Sequence, residues 1–121
     1  MLGIGIDAVD VERFRQLLQR RPSAAARLFT DGELAYGQRW RDPAPRLAAR
    51  FAAKEAVMKA LGVGLGAFGF HDVEVVSAPS GAPGLVLRGA ALALAGQAGV
   101  ERWHLSLTHT DSVAQAVAVA T

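Results

Sequence analysis

The chain has 121 residues, 51% of them hydrophobic, and a formal net charge of +2 at pH 7. The length fits one domain with a core of its own over residues 1–121, and the absence of cysteine excludes disulfides, iron–sulfur clusters and cysteine-based zinc sites. Because no apolar run approaches the ~18 residues of a membrane span and the start lacks a signal-peptide pattern, we expect a cytoplasmic protein with no membrane partner.

The first predicted element is a strand over residues 2–7, with the sequence LGIGID. Residues 3–8 match the spacing of the GxGxxG/A dinucleotide-binding fingerprint, but that fingerprint requires a complete strand before its first glycine. Alternation places the large side chains on one face of the strand and the small ones on the other, as Leu2, Ile4 and Ile6 against Gly3, Gly5 and Asp7. We therefore predict a strand with one bare face that ends in a carboxylate.

Helices are predicted for the next part of the chain. Asp10 is the expected N-cap of a first helix, which Pro22 interrupts. Thr30 and Glu33 have the spacing of a capping box and begin a short helix. A loop with two prolines then leads to a long helix over about residues 45–61.

The rest of the chain is predicted to form a glycine-rich loop, two hairpins and one helix. The hairpins pair residues 73–76 with 85–87 and residues 103–109 with 113–120, and the helix covers residues 90–98. The glycine-rich loop begins at Gly62 and follows a helix, which excludes a P-loop and favours a helix C-cap. The last strand is apolar on both faces, so we expect both to be buried, with another subunit as the second cover.

The long helix carries charged residues among its apolar ones. Its apolar stripe, formed by Leu47, Phe51, Met58 and Leu61, has Lys54 at its centre. This lysine is either buried with a partner or extended to the edge of the helix. Glu55 and Lys59 have the i,i+4 spacing of an ordinary surface ion pair, which alone would explain them.

Asp7 and Glu55 converge if the long helix packs across the first strand. Two carboxylates without histidine or thiol partners suit Mg²⁺, and the cations around them suit a polyphosphate substrate. A helix-capping role for Asp7 is the alternative. His104 and His109 lie on opposite faces of one predicted strand and form no metal site, although His109 at the strand end is placed to contact a phosphate or only the solvent.

The chain resembles a known family in four stretches, GIGIDAVDVERF, RLFTDGELAY, RLAARFAAKEAVMKALG and HLSLTHTDSVAQAVAV. Their order and spacing are similar to those of the holo-(acyl-carrier-protein) synthases, the short stand-alone 4′-phosphopantetheinyl transferases, from Leu2 to Ala120. The resemblance implies an α+β fold in which an antiparallel sheet packs against a long central helix, with one domain per subunit. It also implies a homotrimer with active sites at the subunit interfaces.

The implied reaction takes CoA as the donor and a serine of apo-acyl carrier protein as the acceptor. The serine hydroxyl attacks the β-phosphate of CoA, and adenosine 3′,5′-bisphosphate leaves. The product is the holo-carrier protein used in fatty acid or polyketide biosynthesis. The proton acceptor stays open among a metal-bound water, a water held by a carboxylate of the carrier, and Asp111.

The resemblance also implies roles for single residues. Asp7 and Glu55 bind Mg²⁺ together with the pyrophosphate, and Lys59 completes the catalytic set. Arg50, Lys59 and His109 are implied to contact the CoA phosphates. The backbone of Gly62 and Gly64 is implied to contact the cofactor, and Pro83 its adenine. Arg13 is implied to contact the carrier protein, and Arg20 and Arg21 extend that surface. Three positions depart from the family pattern: Asp10, Val63 and Ala82.

Three functions other than phosphopantetheinyl transfer are alternatives for this sequence. A nucleic-acid-binding module would explain the basic isoelectric point near 9.7, but no basic cluster is interleaved with aromatic residues. A Mg²⁺-dependent phosphohydrolase would need more carboxylates near the pair. A silent trimer that only binds CoA is the third. We therefore expect CoA and a carrier protein as partners and no nucleic acid.

Overall fold

The computed structural model describes all 121 residues and has an α+β architecture. In chain order its elements are β1 Gly3–Asp10, α1 Val11–Arg20, α2 Ser23–Leu28, α3 Asp31–Gly37, α4 Ala44–Ala60, a 3₁₀ turn Phe70–Asp72, β2 Val73–Ser77, β3 Pro83–Leu87, α5 Gly89–Gln97, β4 Trp103–His109 and β5 Val113–Ala120. None of the helices is long and apolar enough to cross a membrane.

The strands form two antiparallel sheets. One has the order β1-β5-β4, so the first strand of the chain pairs with the last, and Gly3 lies opposite Ala120. The other is the β2-β3 hairpin. Both hairpins predicted from the sequence are confirmed.

Helix α4 is the centre of the molecule and packs across β1 and β5. The alanines of β5 that face it, Ala114, Ala116, Ala118 and Ala120, are at most 1% exposed. The buried apolar residues of α4 belong to two clusters, one against the sheets and one against α1 and α2. The predicted packing of an antiparallel sheet against a long central helix is therefore confirmed.

The bare face of β1 receives this helix. A Cβ atom added at Gly3 would overlap the carbonyl oxygen of Ala60, and one added at Gly5 would overlap that of Ala56. The glycines therefore allow a helix of the same chain, and not a ligand or a second chain, to approach the strand backbone. The opposite face of β1 is left open, since Ile4 and Ile6 are 57% and 59% exposed.

Lys54 fastens α4 to its neighbours from within the core. Its side chain is fully buried, and its Nζ donates to Glu33 Oε1 at 2.7 Å and to the carbonyls of Phe70 at 2.8 Å and Val73 at 2.6 Å. Burial lowers the pKa of Lys54, and the carboxylate of Glu33 counteracts this. Of the two alternatives for this lysine, burial with a partner is therefore correct.

Local signals placed most of the boundaries correctly. Asp10 caps α1 by accepting from the Arg13 N–H at 2.8 Å, and the capping box of Thr30 and Glu33 is complete. Gly62 follows α4 with φ of +71°, as expected of a helix C-terminus. Helix α2 and the 3₁₀ turn were not predicted, because six and three residues are too few to show a helical period.

Candidate functional site

Asp7 lies where β1 passes the C-terminal half of α4. It is two residues beyond Gly5 and shares the inward face of the strand. Its Oδ1 accepts a hydrogen bond from Lys59 Nζ at 3.1 Å, and the same Nζ donates to the Ile6 carbonyl at 2.9 Å. The Asp7 side chain is only 17% exposed, so its carboxylate is held in a defined place.

Glu55 lies on α4 one turn before Lys59 and close to Asp7. Burial raises the pKa of Glu55, and the negative charge of Asp7 raises it further, whereas Lys59 opposes the shift. Its carboxylate forms no hydrogen bond or salt bridge within the chain, while Asp7 is paired with Lys59. Asp7 and Glu55 therefore lie near enough for their charges to interact, as the predicted convergence requires.

The donor atoms of this pair fit a hard divalent cation. Carboxylate oxygens are ligands that Mg²⁺ prefers, and a cation between them would relieve the repulsion that raises the pKa of Glu55. No group of three or more histidine, aspartate or glutamate residues is placed to hold a metal. The remaining ligands would therefore have to be water and substrate oxygens, as is usual for Mg²⁺ bound with a phosphate.

The glycine-rich segment begins directly after the last turn of α4, which carries Lys59. The positions where Cβ atoms would stand at Gly62 and Gly64 have no atom of the protein within 4 Å. The backbone at both glycines is therefore open to a ligand that approaches the end of α4.

A second candidate site is a cavity of about 300 Å³ that contains three of the predicted residues, Arg50, Pro83 and His109. His109 faces the α4 side of the sheet, because it lies opposite the buried Ala114, and His104 lies on the other face. The prediction that the two histidines form no common site is confirmed.

Arg50 is the buried cation of this cavity. It is 4% exposed, its Cζ lies 3.6 Å from the centroid of the Tyr36 ring, and its Nη2 donates to Ser77 Oγ at 3.3 Å. Its Nε is buried without a partner. Burial lowers the pKa of Arg50, and the positive charge of nearby Arg46 lowers it further. A charged group left with unused donors at a cavity wall is suited to bind an anion.

Sequence reasoning missed three residues of this cavity, Tyr36, Trp40 and Arg46. Tyr36 and Trp40 are four residues apart, as are Arg46 and Arg50. Two such pairs around a proline-containing loop were the available signal, but only the tertiary structure turns the pairs toward each other.

The predicted residues thus fall into two groups on one chain. None of the cavities is lined by Asp7, Glu55 or Lys59. The carboxylate pair with Lys59 is one group, and the cavity with Arg50 and His109 is the other. A single chain therefore does not unite all of them in one pocket.

Three arginines at α1 and its C-terminus, Arg13, Arg20 and Arg21, are exposed and have no ion-pair partner. Arg15 on the same helix is different, because it pairs with Glu12 and Asp42. Asp10, one of the departures from the family pattern, has one carboxylate oxygen bonded to the start of α1. The exposed arginines leave a basic surface on one side of the molecule.

Comparisons with known proteins give a consistent result. A family model for the 4′-phosphopantetheinyl transferase superfamily matches residues 3–120. A relative from Frankia alni, named holo-[acyl-carrier-protein] synthase, is 48% identical over 120 residues, which is 99% of this chain and 97% of the relative.

Solved structures of similar proteins have the same fold. The holo-[acyl-carrier-protein] synthase of Neisseria meningitidis has a TM-score of 0.90 at 32% identity and covers 100% of this chain and 98% of its own. That of Helicobacter pylori, solved in complex with coenzyme A, has a TM-score of 0.86 at 28% identity and covers 98% of this chain and 99% of its own.

Proposed function

The chain belongs to the holo-[acyl-carrier-protein] synthases of the 4′-phosphopantetheinyl transferase superfamily, and we propose that it transfers 4′-phosphopantetheine from CoA to a serine of apo-acyl carrier protein. The serine hydroxyl releases its proton to water, and its oxygen forms a bond to the β-phosphorus of CoA. The bond from that phosphorus to the bridging oxygen breaks, and adenosine 3′,5′-bisphosphate leaves. The observation that carries this proposal is that Asp7 contacts Lys59 and lies near enough to Glu55 to raise its pKa.

Asp7 and Glu55 would hold Mg²⁺ at the pyrophosphate of CoA. The cation supplies neutralisation of the charge that collects on the phosphate oxygens during the transfer. Lys59 keeps the Asp7 carboxylate in place and adds a positive charge beside the leaving phosphate. Gly62 and Gly64 leave the backbone after α4 open, so the pantetheine side of the donor has room there.

The cavity of Arg50 and His109 would bind the nucleotide end of CoA. Its wall contains cations, hydroxyl groups and the apolar ring of Pro83, which suit phosphate and adenine. Because this cavity is separate from the carboxylate pair on one chain, we place the complete active site at a subunit interface. One subunit supplies the metal ligands, and its neighbour supplies the nucleotide cavity.

The outer face of the β1-β5-β4 sheet supports assembly into a homotrimer. Leu2, Ile4 and Ile6 are 55–59% exposed, and Val117 and Val119 lie beside them on β5. Such a contiguous apolar face is typical of a subunit interface. If copies of this chain associate through this apolar face, the end of β1 that carries Asp7 in one subunit would lie beside the neighbouring subunit.

Helix α1 would contact the carrier protein. The free guanidinium groups of Arg13, Arg20 and Arg21 present positive charge, which suits a partner rich in carboxylates. Such binding weakens as salt increases, because exposed charges are screened.

The test is to incubate the purified protein with CoA, Mg²⁺ and apo-acyl carrier protein and to measure the mass of the carrier. We expect a gain of one phosphopantetheine, abolished by EDTA and restored by excess Mg²⁺. Glu55→Gln removes a metal ligand while keeping the shape of the side chain, and we expect transfer to fall by at least about 100-fold.

Glu101→Gln is the matched control, since it makes the same change at an exposed position away from both sites and should leave the rate unchanged. A carrier that stays unmodified with several partners would contradict the proposal. Tight binding of DNA or RNA in the same preparation would then favour a nucleic-acid-binding module.

A further inference from the structure

The cavity that contains Arg50 has a second arginine, Arg46, that also lies over an aromatic ring. Arg46 Cζ lies 3.8 Å from the centroid of the Trp40 ring, as Arg50 Cζ lies 3.6 Å from that of Tyr36. The two rings are 4.7 Å apart. These four side chains, which we call the arginine–aromatic stack, form one wall of the cavity.

The stack has positive charge and no internal counterion. Neither Arg46 nor Arg50 forms a salt bridge, and no carboxylate lines the cavity. The two arginines are four residues apart on α4, where like charges repel each other. Folding therefore places two arginines without a salt-bridge partner at this wall, with Glu33 as a more distant counterion of Arg50, and a bound anion would complete their pairing.

The orientation of Arg46 specifies how that anion is bound. A guanidinium group that lies flat on an aromatic ring keeps its N–H donors at its edge, in the plane of the group. The 3.8 Å between Arg46 Cζ and the centroid of the Trp40 ring is short enough for such stacking, which leaves the N–H donors of Arg46 free for a tetrahedral oxyanion. Arg50 adds the unpartnered, buried Nε at the same wall.

We propose that Arg46 is a specificity-determining residue that binds the 3′-phosphate of CoA, and that Trp40 is its positioning residue. This inference rests on the proposed function, in which the pyrophosphate lies at Asp7, Glu55 and Lys59. The 3′-phosphate is then the only other anionic group of the donor, and the arginine–aromatic stack is the carboxylate-free cationic wall available to it.

The test compares CoA with 3′-dephospho-CoA as donors for the wild-type protein and for Arg46→Gln. For CoA, we expect Arg46→Gln to weaken binding, measured by calorimetry, and to lower kcat/KM by about tenfold or more, because a charge-assisted contact is lost. For 3′-dephospho-CoA, we expect both quantities to stay within about twofold, since that contact does not exist.

Arg39→Gln is the matched control. Arg39 is also near the Tyr36 ring, at 5.7 Å, but it lines a neighbouring cavity that contains Glu74 and not His109. The variant removes the same charge from the same region of the protein. We expect the ratio of the two donors to remain that of the wild-type protein.

Substitutions of Trp40 test the positioning role. Trp40→Phe keeps an aromatic ring under Arg46 and should retain most of the preference for CoA. Trp40→Leu removes the ring and should reduce the preference for CoA over 3′-dephospho-CoA as Arg46→Gln does. Denaturant midpoints of both variants verify that they are folded.

Two results would overturn the inference: an equal loss for both donors in Arg46→Gln, or no loss for either. A separate measurement distinguishes failure of this inference from failure of the proposed function. It compares the affinities of the protein for adenosine 3′,5′-bisphosphate and adenosine 5′-monophosphate in the absence of a carrier protein. A preference for the bisphosphate that depends on Arg46 supports the phosphate site even if no carrier is modified. Normal transfer with an unchanged donor ratio in Arg46→Gln removes this inference and leaves the function intact.

Discussion

At the scale of the residue, the site depends on two positions of β1 that have no side chain. Gly3 and Gly5 let the backbone of the strand touch the backbone of α4, and Asp7 follows on the same face. A larger residue at either glycine would hold the helix away from the strand. The distance from Asp7 to Lys59 and Glu55 would then increase.

Gly5→Ala tests this contact. The added methyl group would overlap the carbonyl oxygen of Ala56. This oxygen belongs to the helix backbone, so it cannot move aside by a side-chain rotation. We expect the free energy of unfolding to fall by about 3 kcal/mol or more, and Mg²⁺-dependent transfer to fall with it. Chemical denaturation and the carrier mass assay measure the two effects.

Gly96→Ala is the control for that substitution. Gly96 lies within α5 with no atom of the protein within 4 Å of an added Cβ. Alanine there should raise the free energy of unfolding by about 0.5–1 kcal/mol, because glycine is unfavourable inside a helix. If Gly5→Ala behaved like Gly96→Ala, close packing of β1 on α4 would not be what positions Asp7.

At the scale of the element, the buried Lys54 and Lys59, the lysine to which we assign a catalytic role, lie five residues apart on α4. Lys54 is fully buried and joins α4 to Glu33 of α3 and to the start of β2. Lys59 is on an exposed part of the helix and contacts Asp7. The same residue type therefore serves two purposes, decided by the face of the helix on which it lies.

Substituting each lysine by methionine separates these purposes. Lys54→Met leaves the carboxylate of Glu33 buried without its cation, and we expect a loss of about 3–5 kcal/mol in the free energy of unfolding. Lys59→Met removes a salt bridge whose lysine is 53% exposed, and we expect a loss of less than about 1 kcal/mol.

For transfer activity, we expect Lys59→Met to lose more than Lys54→Met, which is the opposite of the order expected for the free energy of unfolding. Lys59→Met should be nearly inactive, because the charge beside the phosphate is lost. Lys54→Met, assayed at a temperature where it is folded, should retain most of its activity. A stable Lys54→Met protein would show that the buried pair contributes nothing to the fold.

At the scale of the whole molecule, the sheet has one covered and one open face. The alanines of β5 are buried against α4, whereas Ile4, Ile6 and Val113 on the other side are 37–59% exposed. The prediction of a second cover from another subunit stays a prediction. It is consistent with the separation of the carboxylate pair from the nucleotide cavity on one chain.

Ile4→Glu tests this arrangement. A charge in the middle of the apolar face should prevent association, since an unpaired buried carboxylate is costly. We expect sedimentation to change from three subunits to one, and transfer to be lost because the two halves of the active site are separated. Circular dichroism should be unchanged, because Ile4 is already exposed in the single chain.

Leu92→Glu is the corresponding control. Leu92 is 56% exposed on α5, outside the sheet face, and the variant should remain associated and active. An Ile4→Glu protein that is a fully active monomer would contradict the location of the active site at an interface.

Local patterns along the chain predicted most of the helices and strands, and four motifs indicated the family. Alternation along β1, the N-cap at Asp10, the capping box at Thr30 and the glycine after α4 are local signals, and the structure agrees with them. The four stretches that resemble the synthases identified the family before any coordinates. Local signals are sufficient here because caps, turns and periodicity depend on neighbouring residues.

The three-dimensional packing revealed what lies against each face of these elements. It showed that the bare face of β1 receives α4, that Lys54 is buried with Glu33, and that Arg46 lies on Trp40 beside Arg50. These contacts join residues from different elements, and their strength depends on burial and on distances that the order of residues does not fix. The pattern of charges along α4 therefore predicted its candidate chemistry, whereas the fold distinguished the buried Lys54 from the partly exposed Lys59 beside Asp7.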